Sequence, residues 1–331
     1  MLRVVFIIES EKSAAARYRV LLNAQAFEAE GIDVYPMMLP RTRRGRRKLF
    51  KDVEDYDVVV LQRRLLQCWD LRVLRRRVRV LGYDFDDAVM FRDGRRGRFR
   101  SFSRSWKFAA LMKRVDFVTA GNRYLWEMCP VEDARKHVVV TPVDTQNYRP
   151  ARSPGGPLCV GWVGSSSTLR YLEAVLPAVE RAARRADFEL AVVSDEFPAP
   201  APFIRRIEWR AETEPAEVAR FDVGLMPLPE DPWTRGKCGF KLLLYGACGV
   251  PSVASPVGVN GEIIADGRTG ILASRGEDWE EALVRLAADE TLRREMGLAA
   301  RARVVGNYSA HAVIPAWADI LRKTADRAFR S

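Results

Sequence analysis

The stretch with the most chemistry in it is Gly236-Lys237-Cys238-Gly239-Phe240-Lys241, which opens a run of apolar residues ending at Cys248-Gly249-Val250-Pro251. Glycines at 236 and 239 let backbone approach a ligand closely, and a helix starting there presents unpaired N–H groups and a positive dipole end, together an anion site. Lys237 and Lys241, four apart, put two cations on roughly one face of the first turn of a helix expected over 237–248. Lysine at that end opposes the helix dipole and costs stability unless an anion lies nearby. The alternative, a plain buried helix with Gly249 past its end and Pro251 as stop, explains the second half of the segment equally well.

Further candidates lie elsewhere. Gly164-Ser165-Ser166-Ser167-Thr168, with Arg170 beyond, follows an apolar run and offers either hydroxyls and a cation to a phosphate or an ordinary helix cap. Ser13-Ala14-Ala15-Ala16-Arg17-Tyr18-Arg19 follows the first apolar run; its small residues permit close approach, and Arg17 or Arg19 could clamp a phosphate, unless the segment is an ordinary helix start with an exposed arginine. Asp84, Asp86 and Asp87 end another run and allow three readings: an Asp-x-Asp metal site, carboxylates that orient an acceptor hydroxyl or take its proton, or salt bridges to the many arginines.

The elements that must position these groups repeat a short β-branched apolar run followed by an amphipathic stretch, the mark of βα units around a parallel sheet. In the first half, strands are expected over 3–8, 33–37, 57–61, 78–83, 116–120 and 137–141, with helices over 14–30 and 65–77. The second half gives strands over 158–163, 188–193, 205–209, 222–226 and 252–254, and helices over 168–185, 237–248, 278–289 and 292–305, before a last helix near 310–329. The Pro/Gly/Ser-rich segment 150–157 reads as a linker. Domains are therefore expected over 1–152 and 153–308, with 309–331 packing back on the first. The cleft between two such sheets is the default place for a ligand.

Several of these motifs together resemble the family 4 retaining glycosyltransferases. The likeness rests on 236–251, on Ser255-Pro256-Val257-Gly258-Val259-Asn260-Gly261-Glu262-Ile263-Ile264 and on Asp266-Gly267-Arg268-Thr269-Gly270. It extends to Val143-Asp144 with Tyr148-Arg149-Pro150, to Val160-Gly161-Trp162-Val163-Gly164 and to Phe221-Asp222-Val223-Gly224-Leu225-Met226-Pro227-Leu228. Ser13–Arg19 and Tyr83–Ala88 are similar to a bacterial subgroup of the family. The resemblance implies the GT-B fold, two Rossmann-like α/β domains with parallel sheets facing across a cleft. It also implies transfer of a sugar, with retention, from a nucleotide-diphosphate donor to the hydroxyl of a glycan or lipid-linked acceptor, with no metal or other cofactor. By the same resemblance Gly164, Ser165, Arg170, Gly236, Cys238, Gly239, Phe240 and Gly258 would line the donor and Lys237 and Lys241 its diphosphate. Ser13, Arg17 and Arg19 would lie near the phosphates and acceptor; the role of Asp84, Asp86 and Asp87 toward an acceptor hydroxyl rests on their place at a strand end facing the cleft. One departure bears on activity: the family's Glu-x7-Glu pair falls here on Gly236 and Leu244, neither of which accepts a hydrogen bond through its side chain. A non-catalytic nucleotide- or glycan-binding relative is the alternative.

Composition bounds the rest. The 331 residues carry a formal net charge of +11, and residues 1–150 hold 31 Lys and Arg against 19 Asp and Glu, so the whole excess lies in the first half. It gathers at Arg41–Lys51, Arg72–Arg79 and Arg92–Lys107, the last interleaved with Phe99, Phe102, Trp106 and Phe108. Such mixtures suit an anionic membrane surface, or alternatively reflect an arginine-rich composition. Nucleic acid is not expected, since no zinc finger, helix-turn-helix or RNA-binding signature accompanies them. Five scattered cysteines and two histidines argue against a disulfide framework, a zinc site or a multi-histidine centre. No apolar run is long enough to span a membrane and no leader is evident, so a cytoplasmic, peripheral protein is expected.

Overall fold

The computed structural model describes residues 1–94, 97–151 and 157–330. The chain divides into a first unit, Met1–Pro142 with Asp231–Cys238 and Ala310–Ser331, and a second, Val143–Glu230 with Gly239–Ser309. The first therefore stops ten residues before the expected 152, because 143–150 is tied into the second. There Val143 N–H donates to the Tyr308 carbonyl at 2.8 Å, and the buried Tyr148 hydroxyl donates to Glu214 Oε2 at 2.6 Å. Residues 152–156 of the expected linker lie outside the described residues. So do Arg95 and Arg96 of the third basic cluster.

The first unit's sheet holds β1 (Leu2–Ile8), β2 (Ile32–Met38), β3 (Val58–Gln62), β4 (Leu81–Phe85), β5 (Phe117–Ala120) and β6 (Lys136–Val138), all parallel in the order β2-β1-β3-β4-β5-β6. The second holds β7 (Leu158–Val163), β8 (Phe188–Ser194), β9 (Ile204–Glu208), β10 (Val223–Met226), β11 (Ser252–Ala254) and β12 (Gly270–Leu272), parallel in the order β12-β11-β10-β7-β8-β9. Parallel sheets covered on both faces need strands apolar on both sides, and Val58, Val59, Val60 and Leu61 are fully buried. Chain order reverses between β1 and β3 in one sheet and between β7 and β10 in the other, the points where open α/β sheets hold ligands.

Two helical expectations change and one helix is new. The single helix over 14–30 is broken at 20–23, where Asn23 Nδ2 donates to the Tyr18 carbonyl at 2.7 Å and competes with the helix ladder. The helix expected from Lys237 begins at Phe240, after a short 3-10 turn at Thr234–Gly236 and extended backbone at Lys237. Helix Arg43–Asp52, not anticipated, is capped by Thr42 and buries Leu49 and Phe50 under an otherwise cationic surface. The last helix, Ala310–Arg330, belongs to the first unit. Its Trp317 is fully buried, edge-on to Phe6 (5.8 Å between centroids) and Phe27 (5.4 Å). Each such pair adds about 0.5–1.5 kcal/mol beyond burial.

Candidate functional site

In the second unit the two strands at the reversal are pinned by one side chain. Tyr245 hydroxyl accepts from Val163 N–H (3.2 Å) and donates to the Leu225 carbonyl (3.2 Å), bridging the ends of β7 and β10 where their ladder stops. The ring fits because residue 224 is glycine: a Cβ there would sit 2.4 Å from it.

Two helices start beside this point and differ in what their first turns can accept. In helix Ser166–Arg185, Asp195 at the end of β8 takes the Ser166 N–H (2.6 Å) and hydroxyl (3.0 Å), while Ser165 Oγ lies 2.8 Å from Ser167 Oγ. Desolvation pushes the Asp195 carboxyl upward, but the bonds from the Ser166 N–H and hydroxyl, with those from its own backbone and Ser194, together hold it below the ordinary carboxylate range. The Ser165–Thr168 cluster is thus a helix start capped by an anion, a residue the sequence reading missed. A phosphate there would meet the Asp195 charge. Gly164 is required for space, since a Cβ would lie 2.4 Å from the Trp162 ring, and Arg170 donates to Tyr171 Oη at 2.9 Å.

The helix Phe240–Ala247 has the opposite character. Gly239, at φ +63°, precedes it and supplies no capping side chain, and a Cβ at 239 would press on Ile263 at 2.4 Å. Lys241 Nζ lies 5.2 Å over the Trp162 ring at the end of β7, so a cation accompanies an uncapped positive dipole end. The loop bearing Gly258 (φ +54°) is held by Asn260, which is fully buried, donates to the Ser255 carbonyl at 3.0 Å and leaves Oδ1 without a hydrogen-bond partner. Leu244, where the resembling family carries a glutamate, is packed in the core at 2% exposure.

Lys237 and Cys238, expected in the first turn of the donor helix, and Gly236, expected just before it, belong instead to the first unit, so Lys237 and Lys241 do not share a helix face. A Cβ on Gly236 would meet Ala88 Cβ at 2.7 Å and Ala88 N at 2.9 Å. Asn122 Nδ2 donates to the Lys237 carbonyl (3.1 Å), Lys237 Nζ lies 3.6 Å from Asp87 Oδ1, and Cys238 Sγ donates to the Asp86 carbonyl (3.2 Å). Burial, with the charge of Asp86, pushes the Cys238 thiol well up, so it is no nucleophile at neutral pH.

The first unit also separates the three aspartates. Asp84 is fully buried and takes two bonds from Arg19 (3.0 Å to Nε, 2.6 Å to Nη2), one from Thr119 (2.8 Å) and one from Gln62 (3.1 Å). Arg19 is equally buried, donates to the Val139 carbonyl and Thr141 Oγ1, and lies 4.9 Å over Trp317. Arg19 is therefore neither exposed nor a phosphate clamp, and Asp84 is not open to an acceptor; each neutralises the other in the core. Ser13 is the N-cap of helix Ala14–Arg19, accepting from Ala16 N–H at 3.3 Å, and half-buried Arg17 stacks on Tyr18. Asp86 and Asp87 sit at the end of β4 with Arg63, which donates to Asp87 Oδ2 at 2.6 Å and lies 3.4 Å from Asp86 Oδ1. Arg63 is the single non-glycine residue at positive φ (+56°) among the described residues, a conformation that costs about 1–3 kcal/mol and concentrates at functional sites. Burial, followed by the Asp87 charge, raises the Asp86 carboxyl above its ordinary range despite Arg63, and its Oδ1 accepts no hydrogen bond. No set of three His, Cys, Asp or Glu among the described residues is arranged to hold a metal ion.

This architecture has close counterparts among solved structures. Sucrose-phosphate synthase of Thermosynechococcus elongatus superposes with a TM-score of 0.79 at 14% identity, over 99% of this chain and 100% of that one. HepE of Anabaena, solved with UDP and glucose, gives 0.75 at 15% identity, over 98% and 100%. The fold is GT-B. Within the GT-B chain, residues 158–289 match the family model described as Glycosyl transferases group 1. A curated relative, α-maltose-1-phosphate synthase of Mycolicibacterium smegmatis, is 39% identical over 88 residues, which take in 24% of this chain and only 21% of that protein. The family match covers both helix starts at the β7/β10 reversal, Tyr245, Asn260 and Gly258.

Proposed function

We propose that the protein is a nucleotide-sugar-dependent glycosyltransferase that binds its donor on the second unit and moves the sugar, with retention, to an acceptor hydroxyl held by the first. The observation that carries this is the contrast between the two helix starts at the β7/β10 reversal, inside the stretch that matches Glycosyl transferases group 1. Asp195 blocks one; Gly239 and Lys241 leave the other suited to a diphosphate. As the sugar departs, charge grows on the diphosphate and is met by the first-turn N–H groups and Lys241. Gly258, exposed and at positive φ, allows a donor to approach the backbone closely. HepE structures with UDP and with UDP-glucose make UDP-sugars the first donors to try.

On the first unit, Asp86 is the group best suited to take the acceptor's proton: burial raises its carboxyl above the ordinary carboxylate range, while its side chain keeps 17% of its surface open. The unit carries 36 Lys and Arg against 21 Asp and Glu by sequence, and it exposes Phe102 (89%) and Trp106 (53%) on helix Phe102–Met112. That mixture supports a lipid-linked acceptor approached at an anionic membrane surface. Among the described residues no helix is long and apolar enough to cross a membrane.

Calorimetric titration with UDP tests the donor assignment: Lys241→Ala should weaken binding about tenfold, the loss of one charge-assisted contact. Equal affinity in both proteins would remove the diphosphate from this helix. A non-catalytic relative that only binds nucleotide is the second reading, favoured by Gly236 and Leu244 where carboxylates would stand. It predicts UDP binding without turnover.

A further inference from the structure

The basic cluster Arg72–Arg79 takes no part in the reading above, yet two of its members border a cavity of about 610 Å³ in the first unit. The cavity lies at the amino ends of β5 and β6, the far end of the sheet from Asp86 and Asp87; the five residues of β4 alone span roughly 16 Å. Arg75 and Arg79 line it from the end of helix Cys68–Arg75 and the turn beyond, and Asp116 and Phe117 from the start of β5. Arg135 and His137 contribute from the β6 edge, and Asp319, Lys323 and Arg327, with Ile320, from the last helix.

Its charges do not balance. Asp116 is committed to Arg75 (3.2 Å) and to the Leu81 N–H (2.7 Å), and Asp319 to Lys323 (2.7 Å). Arg135 donates to the backbone carbonyls of Asp116 and Val115. Arg79 stacks over Phe329 at 4.8 Å, and among the described residues neither Arg79 nor Arg327 makes an ion pair. Two guanidiniums without counter-charge thus border a space of the size that holds a small molecule, beside an apolar wall of Phe117 and Ile320. Guanidinium forks match phosphate oxygens, and an anion here would relieve the like-charge repulsion.

We propose that this cavity is a second binding site, for a small phosphate-bearing molecule gripped by Arg79 and Arg327, and independent of the donor site. His137 reports on it. Burial first, and then the charge of Arg327, hold its imidazole below the ordinary range, so a bound phosphate offsets Arg327 and raises that pKa.

Inorganic pyrophosphate and a hexose phosphate, titrated into the full chain by calorimetry, should each bind saturably. Arg79→Ala and Arg327→Ala should each weaken that binding at least about tenfold, or 1.4 kcal/mol, while Lys241→Ala leaves it unchanged. Both arginines are exposed, so the variants should unfold at the wild-type temperature. Vesicles containing phosphatidic acid distinguish a lipid headgroup from a soluble ligand: binding to vesicles alone, lost in the double variant, assigns the phosphate to a lipid. In the unaltered protein, the His137 ring resonances followed against pH should titrate higher when pyrophosphate is present. No binding of any of the three probes, binding unchanged in both arginine variants, or a His137 titration that does not move would overturn the proposal.

Discussion

Replacing Arg19 by methionine separates the two roles open to that residue. Methionine keeps an unbranched apolar stem but removes the guanidinium, which stacks on Trp317 and satisfies both Asp84 oxygens, the Val139 carbonyl and Thr141. Asp84, fully buried, keeps only Thr119 and Gln62 as donors. Taking one partner from a buried ion pair costs about 3–5 kcal/mol, most of it the burden of the charge left behind. For a domain of this size each kcal/mol moves the melting temperature by about 2–4 °C, so the first unit should melt roughly 6–20 °C lower. Removing the carboxylate as well, in Arg19→Met/Asp84→Leu, should recover at least half of that loss, because an apolar pair carries no desolvation penalty. Differential scanning calorimetry supplies the melting temperatures, and calorimetric titration with UDP supplies a control that should stay within about twofold of wild type. The reasoning is refuted if Arg19→Met melts with the unaltered protein while UDP affinity falls tenfold, since that is how a phosphate clamp behaves.

Three further outcomes follow from the same geometry. Asp86→Asn should abolish transfer while raising stability above neutral pH: the folded carboxyl titrates above its unfolded value, so its contribution is present at low pH and is lost as pH rises through the folded pKa. Urea unfolding at several pH values checks the sign; a variant less stable at every pH would contradict it. In the unaltered protein the proposed transfer should speed up as pH rises through that same carboxyl, and a flat profile across the acid range would remove Asp86 as base. Restoring the family carboxylate by Gly236→Glu should cost about 1–3 kcal/mol in urea unfolding, because its Cβ would begin 2.7 Å from Ala88, and should not raise turnover. Finally, Phe102→Ser/Trp106→Ser should reduce flotation with anionic liposomes at low salt without changing UDP affinity; equal flotation would detach the membrane from helix Phe102–Met112.

How legible the fold was depends on whether the signal is local. Runs such as Val58–Leu61 or Leu158–Val163 announce buried parallel strands because both faces must be apolar, whereas β12, a glycine and two half-buried residues at the sheet edge, has too little pattern to be read. Helix Arg43–Asp52 escaped because only Leu49 and Phe50 turn inward. The glycine-rich start of the donor helix was readable in type, yet its position slipped by three residues: Gly239 adopts the left-handed backbone that separates a strap bound to the first unit from the helix itself. What could not be read were partnerships across long separations. Nothing near Asp84 in sequence says that Arg19, 65 positions away, will neutralise it, or that Asp195 will cap a helix beginning 29 residues earlier. The Tyr245 hydroxyl is equally silent until the sheet places Val163 and Leu225 on either side of it.

The central claim is sugar transfer from a nucleotide donor bound at the β7/β10 reversal. Release of nucleoside diphosphate, measured over a panel of UDP-, GDP-, ADP- and TDP-sugars with lipid-linked and glycan acceptors, tests it most directly, with product stereochemistry read by NMR. The account predicts turnover with one donor, retained anomeric configuration, and loss of most activity in Lys241→Ala. Nucleotide binding without turnover across the whole panel would contradict it and leave a GT-B protein that binds without catalysing.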